Sequence, residues 1–144
     1  MTETELQHHH DKNIILLVGE HRKLILFDTN SNKWHFSRFS SHSNYQGMLK
    51  YTSVCSMGER FVMTGGCSVS NLEPVRNTYV FTLQNYNLFK SYKPLTICRY
   101  GHSSIVLNGW IYVLGGFDHR DDEMSSPNTL NSCECINYNG GSKW

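Results

Sequence analysis

The sequence has no apolar run of eighteen residues, so no segment is long enough to cross a bilayer as a helix. An excess of one charge is also missing. Thirteen Lys and Arg stand against twelve Asp and Glu, a net +1, which leaves no electrostatic footprint for nucleic acid or an acidic membrane surface. The N-terminal stretch MTETELQHHHDK is polar and acidic and lacks the basic region and apolar core of a signal peptide. No Asn-x-Ser/Thr sequon occurs, and the cysteines (Cys55, Cys67, Cys98, Cys133, Cys135) are odd in number. That set fits free thiols in a reducing compartment better than a disulfide framework, so the expected location is cytoplasmic. Few apolar residues are Ala or Leu at helical spacing. Instead the chain carries 39% hydrophobic residues, 12% aromatics, thirteen asparagines, eleven glycines and eight tyrosines. Short strands joined by many turns use such a mixture, and 144 residues allow one domain, so the fold class is all-β.

One stretch organises the rest. Arg99 to Gly116, RYGHSSIVLNGWIYVLGG, holds an alternating run from His102 to Leu107, an Asn108-Gly109 turn, an apolar run from Trp110 to Leu114, and a double glycine. Asn-Gly between two such runs signals a hairpin, because both central residues of a type I′ turn need positive φ. The paired glycines permit a sharp bend or a close approach that a Cβ would block. Tyr51 to Gly66, YTSVCSMGERFVMTGG, repeats the pattern without a gap, with a turn at Met57-Gly58-Glu59. The double glycines, Gly65-Gly66 and Gly115-Gly116, lie 115 − 65 = 50 residues apart. A period of about fifty points to repeated blades, and the Trp-Asp pair of the shorter WD repeat is absent.

The ordered set of four hydrophobic residues, a double glycine, then a Tyr and a Trp about six residues apart resembles the kelch repeat. The third unit supplies Ile111 to Leu114, Gly115, Gly116, Tyr138 and Trp144. The second supplies Phe61, Val62, Met63, Gly65, Gly66 and Tyr79, with Leu88 in the place of Trp. The first is degenerate: Ile15 to Val18, then Gly19-Glu20, then LILFDTNSNKW, with Phe27 in the aromatic place and Trp34 closing it. The resemblance implies an incomplete kelch-type β-propeller of about three blades, built of short antiparallel strands. Their expected limits are 13–46, 47–96 and 97–144, behind a disordered leader at 1–12. It makes Trp34, Tyr79, Tyr112 and Tyr138 packing residues, buried within or between blades. Trp144 falls at the start of a blade's last strand, so the third blade is expected to lack its outer edge. Three blades do not close a ring, so the chain is expected to be a fragment of a longer propeller protein, with unpaired blade edges open to self-association.

Along the chain, strands are expected at Ile14 to Val18, Leu24 to Phe27 and Lys33 to Phe36, with Ser31-Asn32 at a hairpin tip. Ser40 to Gly47 reads as a connector, and Cys67 to Asn77 as a polar loop containing Pro74. Tyr79 to Leu83 and Leu88 to Tyr92 form an outer hairpin that Pro94 closes. Phe117 to Thr129 is a long loop, and an outer hairpin of the third blade starts at Leu130.

Residues that could carry chemistry are few. Cys133-x-Cys135 with His119 and Asp121 nearby raises a zinc reading, against which stands the lack of a second pair at finger-like spacing. The alternative reading of the two thiols is small apolar residues pointing into the blade. The acidic loop from Asp118 to Glu123 lacks the ordered calcium pattern. His8 to His10 cannot easily converge on one ion. His102 and Ser103 face opposite sides of a strand and form no nucleophile–base pair, so His102 reads as structural. Copper oxidases of the galactose-oxidase kind share the propeller, but no residue pair here shows their Tyr and His site. The resemblance therefore implies a protein-interaction module, a substrate adaptor or scaffold, with no catalytic residue and no cofactor. The alternative is a propeller enzyme or metal protein using Cys133, Cys135 and His119. By position, the partner-binding face falls on Lys50, Tyr51, Arg99, Tyr100, Cys67 to Ser70, Asp118, His119, Arg120, Asp121 and Asp122. Arg and Tyr suit that role because they combine contact area with polar grip. Mixed charge there favours a protein partner over nucleic acid.

Overall fold

The computed structural model describes residues 14–18, 23–38, 49–58, 60–82, 90–118, 128–138 and 144. The expected leader at 1–12, the connector at 40–47, Leu88, and the loop residues His119, Arg120, Asp121, Asp122 and Glu123 lie outside the described residues. Among those described there is no helix. The sequence contains no alanine, the strongest helix former, and its β-branched and aromatic residues pack well on a pleated surface.

Among the described residues, twelve strands form four antiparallel sheets. In chain order they are β1 (Ile14–Val18), β2 (Lys23–Asp28), β3 (Lys33–Arg38), β4 (Leu49–Lys50), β5 (Ser53–Met57) and β6 (Arg60–Thr64). Then come β7 (Cys67–Ser68), β8 (Thr78–Thr82), β9 (Lys90–Ser91), β10 (Ser103–Leu107), β11 (Trp110–Leu114) and β12 (Cys133–Asn137). The sheets are β1-β2-β3, β5-β6-β8-β9 and β10-β11-β12, with the small pair β4-β7. The first three are blade-like units, each a short antiparallel meander.

The turns follow the sequence closely. Asn108 and Gly109 take φ of 50° and 79°, the type I′ signature, between β10 and β11. The tip between β2 and β3 is folded by Asp28. Its Oδ1 accepts from the Asn30 and Ser31 amides at 2.9 and 3.3 Å, and its Oδ2 accepts from the Ser31 hydroxyl at 2.9 Å. Asn32 completes that tip at φ 54°.

The core lies between the second and third blades. Cys55, Met57 and Val62, with Val80, face Ile111, Val113 and Ile136, with Val106. Leu95 from the connecting segment joins them, and Tyr92, Tyr138 and Trp144 pack on its margin. Trp144 is anchored by its indole N–H, which donates to the Lys93 carbonyl at 2.7 Å. Tyr79 is buried as expected, and Tyr112 is half-buried.

Two expectations need correction. Trp34 is exposed, not buried: it lies on β3 with its ring tilted by 38° against Phe27, centroids 4.6 Å apart, and that side of its sheet is open to solvent. The register also moves the aromatic place. Pairing with the strand before the glycines aligns Phe27, Phe81 and Ile136, opposite Ile15, Phe61 and Ile111. Tyr79 sits two residues before that place and Tyr138 two after it, so the two tyrosines pack for different reasons. One element was missed. The stretch after Gly65-Gly66 is a short strand, β7, paired with β4 through Leu49↔Ser68 and Lys50↔Cys67.

Candidate functional site

In the second and third blades, the loop that enters the blade and the loop that leaves its double glycine meet on one side. In the second blade Lys50 pairs with Cys67. In the third, fifty residues on, Tyr100 and Phe117 exchange backbone hydrogen bonds of 3.0 and 2.9 Å. The two pairs are knit together, because the Gly101 amide donates to the Tyr51 carbonyl at 2.9 Å. Asp118 is held by its own amide, which donates to Asn128 O at 2.9 Å. Three rings run across this join. Tyr51 and Tyr100 lie 6.1 Å apart between centroids, and Tyr100 and Phe117 lie 5.7 Å apart. Tyr51 is 63% exposed and Phe117 37%.

Tyr51 holds φ of 55°, a left-handed conformation that costs a non-glycine residue on the order of 1 kcal/mol. Its counterpart fifty residues on is Gly101, at φ 61°. The second blade thus keeps a large ring where the third uses glycine.

Of the residues expected on this face, Lys50, Tyr51, Tyr100, Asp118 and Cys67 to Ser70 are brought together by these loops, although Cys67 itself is buried. Its thiol pKa is raised by burial, with Lys50 pulling the other way.

Arg99 is not on the face. It is fully buried, and its guanidinium reaches back into the third blade. Nη2 meets Glu134 Oε1 at 2.8 Å and donates to Ser132 Oγ at 3.1 Å, and Nη1 donates to the carbonyls of Gly115 at 2.8 Å and Ser132 at 3.3 Å. Glu134 in turn accepts from the Thr96 and Ile97 amides at 2.6 and 3.1 Å. The pair therefore clamps the connection between blades to β12. A buried arginine is stable only with such partners, which is why it cannot also face solvent. Nothing in the local sequence marked Glu134 as its partner, since the two are brought together only by the sheet.

His102 is a second buried polar group. Its Nε2 lies 2.8 Å from Thr64 Oγ1, and Nδ1 has no hydrogen-bond partner among the described residues. Burial, and then the Arg99 charge, push its pKa down to about 4, so the ring is neutral at pH 7. A structural role follows.

Cys133 and Cys135 share one face of β12, opposite Leu114 and Tyr112, but that face is open and Cys133 is exposed. They do not point into the blade interior. Among the described residues no three His, Cys, Asp or Glu side chains group as a metal site, and His119 and Asp121 lie outside those residues. All five cysteines are free thiols. Among the described residues, no helix is long and apolar enough to cross a membrane.

A partial propeller with knit loops on one side is the class of protein that this fold defines. The comparisons agree. Residues 98–142 match the family model for the kelch motif. A solved structure titled "Structure of YjhT", a kelch-type propeller, superimposes with a TM-score of 0.60 at 12% identity, over 79% of this chain and 35% of that one. The chain thus spans about a third of that protein's length. No curated protein matches.

Proposed function

We propose that this propeller module binds a protein partner through the face built from 49–51, 67–70, 100–101 and 117–118. The observation that carries the reading is the ring row Tyr51, Tyr100 and Phe117, set across the seam between two blades and exposed at both ends. Aromatic side chains supply large contact area at low conformational cost, which suits a binding hot spot. The non-glycine left-handed backbone at Tyr51 supports it, because strain of this kind is retained where a side chain has a task. Lys50 and Asp118 give the rim both charges. Adaptor or scaffold duty within a longer propeller protein, in the cytoplasm, completes the reading.

The test is photo-crosslinking from positions 51 and 31 in turn, with the partner identified by mass spectrometry. The expected result is a partner captured from position 51 and lost when Tyr100→Ala is added, while the melting curve holds. Capture from Ser31 alone would place the contact on the outer hairpins and overturn the reading.

A further inference from the structure

The seam between the second and third blades has two halves of opposite chemistry. Its apolar half is the core of Val62 and Val80 against Ile111, Val113 and Ile136. One step along the strands toward the double glycines, the same two faces turn polar. On β6 and β8 the next inward residues are Thr64 and Thr78, which are register partners and so share a face. On β12 the next inward residue is Glu134, and His102 stands just before β10. Thr78 is 1%, Arg99 0% and His102 7% exposed, so this layer is closed by the chain's own residues.

Some polar atoms in the layer are paired with one another. Thr64 Oγ1 meets His102 Nε2, and Glu134 holds one Arg99 nitrogen and the amides of Thr96 and Ile97. Thr78 Oγ1, Arg99 Nε and His102 Nδ1 are buried and have no hydrogen-bond partner among the described residues. Such atoms are rare in a folded interior, because a buried donor or acceptor without a partner costs free energy. These three belong to one neighbourhood. The His102 ring lies against Gly65, where a Cβ would come 3.3 Å from Nδ1. The Gly65 amide donates to the carbonyl of Asn77, the residue before Thr78. Arg99 closes the remaining side. Its carbonyl accepts from the Gly66 amide at 2.8 Å, and its guanidinium crosses to Glu134. Its charge is near enough to push the His102 pKa down.

The chemistry of the three atoms specifies what satisfies them. Arg99 Nε–H only donates, a threonine hydroxyl donates and accepts, and the second nitrogen of a neutral imidazole does either according to tautomer. A molecule that serves all three must both accept and donate. It must also be neutral, because Arg99 is balanced by Glu134 and His102 is uncharged at pH 7. Water meets both requirements, and buried waters make about two to four such bonds. We infer that a buried, slowly exchanging water occupies the polar half of the seam, accepting from Arg99 Nε and bonded to Thr78 Oγ1 and His102 Nδ1. It joins the second blade, through Thr78, to the third, through Arg99 and His102. Apolar surfaces can slide past each other, whereas a water bonded to both blades holds them at one alignment. This bridge does not depend on the loop face and stands or falls apart from it.

The test takes two readings on the purified 144-residue chain. In oxygen-17 magnetic relaxation dispersion the wild type should show slowly exchanging internal water. Thr78→Val removes the hydroxyl but keeps the shape, and it should lose about one such water while circular dichroism shows it folded. Should Thr78→Val fail to fold, Thr78→Ser retains the hydroxyl and should keep the water. In a high-resolution crystal structure of the wild type, one peak should lie within hydrogen-bond distance of Arg99 Nε, His102 Nδ1 and Thr78 Oγ1. Soaking in bromide should leave that peak unchanged. A wild type without the peak, its three atoms bonded to other protein groups, overturns the inference. Bromide in the peak's place overturns it too, because the site would then hold an anion. So does a folded Thr78→Val variant that keeps the full dispersion, or a Thr78→Ser variant that loses it.

Discussion

The second and third blades share one backbone shifted by fifty residues and solve different problems with it. Gly65 and Gly115 take φ of 55° and 60°, and Gly66 and Gly116 take 104° and 92°. Their surroundings diverge. A Cβ on Gly66 would lie 2.6 Å from Thr52 Cγ2 and 2.8 Å from Lys50 O, and one on Gly116 would lie 2.8 Å from both His102 Cβ and Tyr100 O. Each second glycine is therefore needed by its own blade. The first glycine differs. A Cβ on Gly65 would collide with Arg99 O and lie 2.6 Å from His102 Cε1, both belonging to the next blade, whereas one on Gly115 meets only Leu130 O, at 3.4 Å. The same residue is a neighbour contact in one repeat and a turn residue in the other.

A second difference lies in how each blade fastens its entering segment. The third blade uses the buried pair Arg99 and Glu134, and the equivalent positions in the second are Leu49 and Tyr79. A third is His102, which stands where the second blade has Thr52. Buried polar groups thus concentrate at the joint between the two blades, where they specify one alignment that apolar packing alone would leave loose.

The largest test of this comparison is Arg99→Ala. It strands Glu134 in the interior and should cost about 3–5 kcal/mol in a denaturant melt. A loss below about 1 kcal/mol would mean the clamp is ornamental. Leu49→Ala, at the matching half-buried position, should cost far less.

Gly65→Ala should cost on the order of 3 kcal/mol, from strained φ plus the collision with backbone that cannot yield, against about 1 kcal/mol for Gly115→Ala. Equal costs would show that the neighbouring blade does not crowd the first glycine.

His102 sharpens the comparison through pH. Its folded pKa of about 4 lies below the ordinary 6.5, so the unfolded chain takes up the proton first on acidification. Its stability contribution is complete above pH 6.5 and is lost as pH falls from 6.5 to about 4, on the order of 2–3 kcal/mol in all. His102→Thr, which installs the second blade's residue, should flatten that part of the profile in thermal melts.

The smallest effect belongs to Trp34. Trp34→Ala should cost about 1 kcal/mol, the worth of its tilted ring contact with Phe27, whereas Phe81→Ala in the buried second-blade sheet should cost about 3–5 kcal/mol.

Much of this was legible in the chain. The Asn108-Gly109 turn, the strands beside it and the fifty-residue echo follow from local rules: positive φ for Asn and Gly, and alternation for a pleated strand. Those rules act over a few residues, so one sequence displays them. They place Tyr51, Tyr100 and Cys67 to Ser70 beside one another once the blade pattern is granted. They could not place Arg99. An arginine beside an exposed tyrosine reads as a surface residue until the carboxylate that pairs with it is located, and Glu134 lies 35 positions away on another strand. Burial of Trp34 failed for the related reason that an aromatic at an inward-type position is covered only if another surface arrives there.

The sequence by itself determined the class of fold, the turns, the repeat and the glycines, because each depends on backbone geometry within one repeat. Only the tertiary structure decided which side of each blade is covered, which charged side chain is buried, and that Ile105, Leu107 and Leu114 stand open while Cys55, Met57 and Thr64 do not. Burial is a property of two surfaces in contact, and a single repeat encodes just one of them.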